Sequence, residues 1–385
     1  MTMIIKRDYY LQQLISSKSN NLIKIVTGIR RSGKSFLLFN LFHNHLIETG
    51  ISEDHIIEIA LDDRLNKNLR DPDVILQHIH ERIVDDKLYY IILDEVQMID
   101  EFTDVLNSLL HIRNADVYVT GSNSKFLSKD VVTEFRGRGD EIHLFPLSFA
   151  ELYNSIGGDK FELWKSYYTY GGLPGILELD SEKKKAAYLR SLHETVYLKD
   201  IIERNNLKNS EEFMELMRVM ASCIGSPCNP SKLENTFKSV KNETLDRKTI
   251  SKYLSYMEDA FLIEKSMRYD IKGRKYIGTL SKYYFQDIGL RNALLNFRQV
   301  EENHIMENVI YNELRLRGFC VDVGMVEART AKERKQLEVD FVANMADRRY
   351  YIQSAFAMPD DDKREQECAS LKKIDDSFKK IIIMR

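Results

Sequence analysis

Cysteine is scarce: the chain of 385 residues has four, Cys223, Cys228, Cys320 and Cys368. The first two stand in a C-x-x-x-x-C spacing, but no second pair or nearby histidine completes a zinc site. Scattered thiols without a signal peptide suggest a reducing cytoplasm, so a cytoplasmic protein is expected. Long apolar runs are also missing. None approaches the ~20 residues that cross a bilayer, and no membrane contact is expected. Neither sign of charge dominates, with a net charge of −3. Any contact with nucleic acid must therefore come from a local patch. What remains is ordinary globular composition, 43% hydrophobic and 30% charged. The length allows two or three domains.

Against that background one stretch stands out, Ile23 to Ser35, which reads IKIVTGIRRSGKS. A hydrophobic strand runs into the loop Gly28-Ile29-Arg30-Arg31-Ser32-Gly33-Lys34-Ser35, a complete G-x-x-x-x-G-K-[ST] phosphate-binding sequence. Glycines let successive N–H groups curl toward one anion, and the following helix presents its positive end to the same point. Lys34 is expected on the β- and γ-phosphates, and Ser35 on Mg²⁺. The helix opens with Phe36, so the nucleotide-binding stretch runs from Gly28 to Phe36. A plain surface turn would not need such apolar flanks.

Downstream, Tyr89-Tyr90-Ile91-Ile92-Leu93-Asp94-Glu95 is a strand apolar along its length, as a parallel sheet covered on both faces requires. Two carboxylates stand at its C-terminal end, the edge where ligands bind in open α/β sheets. Asp94 is the expected Mg²⁺ ligand, and Glu95 the group that polarises water for attack on the γ-phosphate. A helix cap or surface ion pair is the bland reading of an Asp-Glu pair, and the four apolar residues before it argue against that. The strand Asp116–Thr120 ends in Gly121-Ser122-Asn123-Ser124, where Asn123 or Ser122 can orient the attacking water; a simple turn is the alternative. Arg136 and Arg138 follow in Glu134-Phe135-Arg136-Gly137-Arg138. Such arginines neutralise charge on the transferred phosphoryl group, in cis or from a neighbouring subunit, unless they are only part of a solvated loop. A last strand is expected over Glu141–Leu147.

In the middle of the chain Gly171-Gly172-Leu173-Pro174-Gly175 punctuates helical segments. Three helices then follow, over Glu211–Cys223, Ser231–Ser239 and Lys248–Ala260. A hairpin around Asp270–Lys275 comes after them. That pattern describes a winged helix, with Lys248–Tyr256 in a DNA groove and Lys272, Arg274 and Lys275 on phosphates. Packing against another protein surface is the alternative, since Glu258 and Asp259 sit on the same helix. The last part combines a helix carrying Glu307, a charged insertion at Glu327–Lys335, a strand pair carrying Glu338 and Asp340, and Gln353-Ser354-Ala355.

The order of GIRRSGKS, LDEVQ, TGSNS, FRGR, LSFAEL, GGLP, KYYFQDIGLRNALL and EVDFVA resembles a family of bacterial and archaeal AAA-type (AAA+-like) P-loop ATPases. By that resemblance Lys34 and Ser35 are the phosphate-loop pair, Asp94 and Glu95 the second motif, and Asn123 the first sensor. The Arg136–Arg138 stretch would be the arginine-bearing end. The implied α/β fold class is a P-loop NTPase parallel sheet at 1–154, a helical linker at 155–208, a winged helix at 209–280, and a PD-(D/E)XK nuclease-like domain at 281–385. Active nucleases of that kind carry acidic-x-Lys where this chain has Gln353-Ser354-Ala355, so no cleavage is expected. The implied ligands are ATP and Mg²⁺. Two roles fit: an ATPase that remodels DNA or a nucleoprotein, or a slow nucleotide switch that binds a protein partner or a second copy of itself.

Overall fold

Five short strands form one parallel sheet: β1 (Ile23–Thr27), β2 (Ile56–Ala60), β3 (Tyr89–Asp94), β4 (Ala115–Thr120) and β5 (Gly139–His143). Their spatial order is β2-β3-β4-β1-β5, so the chain crosses over after β1 and β4 returns between β3 and β1. Every residue of β1 and β3 is buried, which is why neither alternates apolar with polar. The computed structural model describes residues 5–121, 137–241, 245–298, 301–329, 334–358 and 360–385. They divide into two units, Met1–Gly157 with Asp259–Phe261, and Gly158–Glu258 with Leu262–Arg385.

In the first unit, α1 (Asp8–Ser16) precedes β1. The helix after the phosphate loop runs as α2 (Lys34–Phe36), a π-helical stretch Leu37–Phe42, and α3 (His43–Glu48). Asp71 caps α4 (Pro72–Arg82) by accepting the Asp73 and Val74 N–H groups, with Pro72 preset for the first turn. Helix α5 (Phe102–Leu109) and α4 pack on the sheet through Ile75, Ile79, Val105 and Leu109 against Ile57, Ile91 and Val119. Each such side chain contributes about 1.5–3 kcal/mol by leaving water. One buried charge interrupts β1. Lys24 pairs with Asp116 of β4, whose carboxylate also accepts from Tyr118 Oη at 2.8 Å and from the Ser19 N–H at 3.0 Å. With all its partners in place this pair locks β1 to β4 near their starting ends.

The second unit opens with α7 (Lys160–Tyr170), after α6 (Phe149–Ile156) of the first. Helices α8 (Glu182–Leu192), α9 (Lys199–Asn205), α10 (Ser210–Ser222), α11 (Pro230–Thr236) and α12 (Arg247–Asp259) follow. Strands β6 (Ile263–Asp270) and β7 (Lys275–Phe285) form the expected hairpin, yet they do not stand free as a wing. Strand β6 pairs in parallel with β8 (Cys320–Arg329), and the hairpin closes a six-stranded sheet in the order β11-β10-β9-β8-β6-β7. A boundary at 280/281 falls inside β7. The remaining strands are β9 (Arg334–Met345), β10 (Arg348–Ala355) and β11 (Lys379–Met384). Much of the charged insertion is strand: Glu327, Ala328 and Arg329 pair with Gln336, Lys335 and Arg334 at the far end of a β8–β9 hairpin. Alternation is weak there, so charge masks the strands.

Two sequence motifs far apart in the chain meet in this unit. Asp287 caps α13 (Ile288–Leu294) by accepting the Leu290 N–H at 2.9 Å, and its other oxygen accepts the Gly172 N–H at 2.8 Å. Gly171 has φ +78°, and a Cβ there would lie 2.4 Å from Asp287 Oδ1, so the GGLP turn admits no side chain at this point. Asn292 donates to the Tyr168 and Thr169 carbonyls, both at 2.9 Å, covering the exposed end of α7. Burial pushes the Asp287 carboxyl up to about 6, against the pull of those amides. A raised native pKa gives stability that is full below the ordinary carboxylate range and lost as pH rises through about 6. Asp287→Asn cannot reproduce both acceptors. It is expected to lower stability throughout and to flatten its pH dependence between about 4 and 6, as read by urea unfolding at stepped pH.

Candidate nucleotide site

The phosphate loop leaves the C-terminal end of β1 and is bent by three residues with positive φ: Gly28 at +138°, Arg31 at +66° and Gly33 at +98°. Gly28 is fixed by a neighbour. A Cβ would lie 2.2 Å from the Leu144 carbonyl oxygen, and Leu144 itself donates to Thr27 O at 2.8 Å as the chain leaves β5. Within the loop Ile29 is buried as part of the core, while Arg31, Ser35 and Phe36 are exposed. The Ser32 hydroxyl is buried with no hydrogen-bond partner among the described residues. Lys34 Nζ folds back on the loop, donating to Gly28 O at 2.9 Å and Ile29 O at 3.2 Å. An ammonium resting on backbone carbonyls, beside an orphaned hydroxyl and curled amides, fits a phosphate group.

Across the mouth of the loop stands the end of β3. Ser35 Oγ donates to Asp94 Oδ2 at 2.7 Å, and Thr120 Oγ1 donates to Asp94 Oδ1. Thr120 also accepts the Glu95 N–H at 2.9 Å. Burial pushes the Asp94 carboxyl up, with the Thr120 and Ser35 hydroxyls pulling the other way. Glu95 adopts φ +54°, a conformation that costs about 1 kcal/mol for a residue with a side chain, and its carboxylate accepts from Gln97 Nε2. Lys34, Ser35, Asp94 and Glu95 therefore meet at one sheet edge, as their order in the sequence predicts.

Other expected residues fall elsewhere. Asn123, its alternative Ser122, and Arg136 lie outside the described residues. Arg138 is described and exposed, and its carbonyl accepts the Ile23 N–H at 2.9 Å. It sits where β1 and β5 begin, a strand length of about 16 Å from the loop at ~3.3 Å per residue. That excludes a role in cis on its own loop, because the loop follows β1 whereas Arg138 precedes β5.

Three residues of the site have no role assigned from sequence, although Thr120 opens TGSNS and Gln97 closes LDEVQ. Thr120, at the tip of the strand lying between the loop strand and the carboxylate strand, bridges Asp94 and Glu95. Gln97 engages the Glu95 carboxylate. Arg7 donates to Ser32 O at 3.4 Å and Phe145 O at 2.7 Å, and pairs with Glu151 at 2.9 Å. Glu151 belongs to a capping box with Ser148 at the start of α6, so the LSFAEL motif anchors the back of the phosphate loop through Arg7. Thr120→Val removes a hydroxyl that serves two site residues. Turnover should fall roughly tenfold or more while nucleotide affinity holds, by analogy with the loss of outer-shell partners, as steady-state kinetics would show.

Residues 20–153, which hold the phosphate loop, Asp94, Glu95, Gln97 and Thr120, match a profile described as an AAA domain. Residues 161–301 match a domain of unknown function, DUF8612, and that single match runs through positions 208/209 and 280/281. An uncharacterized protein of Haemophilus influenzae is 34% identical over 387 residues, covering 99% of this chain and 93% of the relative. The chain belongs to this AAA-domain family. An uncharacterized protein of Methanocaldococcus jannaschii is 29% identical, covering 97% of this chain and 82% of its own. Among solved structures, the Aeropyrum pernix ORC1 protein in complex with DNA overlaps at TM-score 0.31 with 12% identity, over 76% of this chain and 93% of that one. That overlap is slight, and the assignment rests on the chain-long relatives and the AAA-domain match. Nucleotide-dependent activity is the class this AAA domain supports. No helix of the described residues is long and apolar enough to cross a membrane.

Proposed function

We propose that the chain is a Mg²⁺-dependent ATPase whose turnover drives remodelling of DNA or of a nucleoprotein partner. The observation that carries this is the convergence of a curled phosphate loop, Lys34, Ser35, Asp94 and Glu95 on one sheet edge. Ser35 and Asp94 are hard oxygen donors already in contact, which fits a magnesium ion. Bound there with ATP, the ion would draw negative charge from the β- and γ-phosphates. Lys34 turns from its backbone carbonyls to the phosphates. Glu95 accepts a proton from the attacking water once its carboxylate leaves Gln97. Asn123 orients that water. Arg138, barred from its own loop, and Arg136 serve the γ-phosphate of a neighbouring copy, so the working form is an oligomer.

The hold of Gln97 on Glu95 favours a second reading. In it turnover is slow, and bound nucleotide biases how the second unit meets a protein partner. The two part on one experiment, ATP turnover measured with and without duplex DNA alongside sizing of the assembly. Stimulation by DNA supports remodelling. A rate indifferent to DNA, with a nucleotide-dependent change in assembly, supports the switch.

A further inference from the structure

The resemblance of the last part to a metal-dependent nuclease core implies a divalent ion among Glu307, Asp340 and the first residue of an acidic-x-Lys strand. The residues present do not fit that ion. Strand β10 offers neutral Gln353 and buried Ala355 at the two positions that matter. Gln353 is engaged elsewhere, donating to Glu367 at 3.3 Å and accepting the Asp340 N–H at 3.4 Å. Among the described residues no group of three or more His, Cys, Asp or Glu is arranged to hold a metal.

A cation is nevertheless present, and it arrives on another strand. Lys282 of β7 is 2% exposed. Its Nζ lies 2.7 Å from Glu307 Oε1, 2.7 Å from Glu338 Oε1 and 3.9 Å from Asp340 Oδ1. Glu307, on α14 (Glu302–Leu316), also accepts from Tyr284 Oη at 2.7 Å and lies 3.9 Å from His304 Nδ1. Asp340 accepts the Ser354 N–H at 2.8 Å. Burial pulls the Lys282 ammonium down, but Glu307, Glu338 and Asp340 outweigh it and hold the ammonium above its ordinary range. A second cation placed among the same carboxylates would meet that ammonium at close range and at low dielectric, where repulsion is strong.

We propose that the Lys282 ammonium is a tethered cation standing in the place of a divalent ion between Glu307, Glu338 and Asp340. It closes the cluster to metals and leaves the second unit without metal-dependent cleavage. The carboxylates are kept because they now neutralise Lys282 and fix β7, β9 and α14 to one another.

The test uses the full chain without nucleotide and Mn²⁺ as the probe, with free Mn²⁺ counted by electron paramagnetic resonance. Wild type is expected to show no Mn²⁺ binding that Asp340→Asn removes, and to leave plasmid DNA intact in Mn²⁺. Lys282→Met frees the carboxylates. It should bind Mn²⁺ roughly tenfold or more tightly than wild type, melt at a higher temperature with Mn²⁺ than without, and lose both effects when Asp340→Asn is added. Should Lys282→Met not fold, Lys282→Met with Glu338→Gln lowers the excess charge and carries the same comparison. A wild-type Mn²⁺ site that Asp340→Asn abolishes, plasmid cleavage that depends on Asp340, or a folded Lys282 variant with no gain in Mn²⁺ binding would each overturn the proposal. Since no arm contains nucleotide, the outcome is independent of the phosphate-loop reading.

Discussion

Lys34→Ala is expected to abolish ATP binding and to reduce turnover by about 10²-fold or more, the range seen when one preorganised electrostatic contact to a reacting group is lost. The side chain is 5% exposed and its ammonium sits over the loop, donating to the Gly28 and Ile29 carbonyls. Those carbonyls are neutral acceptors, and a polyphosphate is a stronger partner for the ammonium. Truncation removes the Lys34 positive charge from the curl. The loop itself should persist, because its bend comes from Gly28, Arg31 and Gly33 and from the Leu144 carbonyl packed against Gly28. An intact fold by circular dichroism, with ATP binding lost in a fluorescence titration, is the expected pair of results. Unchanged affinity and rate would remove Lys34 from the phosphate role.

Glu95→Gln should separate binding from chemistry. The amide keeps the size of the side chain, and the backbone N–H stays on Thr120. What is lost is the capacity to take a proton, a contribution of about 10²–10⁴-fold for a general base. ATP affinity should hold or rise while hydrolysis slows by that factor, so the variant should trap the ATP-bound form. Its contact with Gln97 would then join two amides instead of an amide and a carboxylate, a weaker bond. A normal hydrolysis rate in single-turnover assays would take Glu95 out of the base role.

The parts of this molecule that were legible in sequence are those whose chemistry needs fixed spacing. The phosphate loop and the Asp94-Glu95 pair each require adjacent residue types, and the apolar strands before them announced a buried parallel sheet. Thr120 was not legible as a site residue, because its role depends on β4 returning between β1 and β3, a matter of strand order that no local pattern carries. Arg7 was hidden for the same reason, since it meets the loop only through the packing of α1. Arg138 looked well placed along the chain, yet a parallel strand carries it to the opposite edge. In the second unit the hairpin resembled a free wing because it follows three helices and carries Lys272, Arg274 and Lys275, whereas pairing of β6 with β8 absorbs it into a larger sheet. Lys282 stands in sequence only as the first residue of KYYFQDIGLRNALL, with no role of its own, and the fold brings it among Glu307, Glu338 and Asp340.

Equilibrium titration of the chain with ATP and Mg²⁺, run beside Lys34→Ala, tests the central claim most directly. A single saturable site in the wild type, dependent on Mg²⁺ and absent from the variant, is the predicted result. A wild-type chain indifferent to ATP and Mg²⁺, or a variant that binds equally well, would contradict the account of this sheet edge as a nucleotide site.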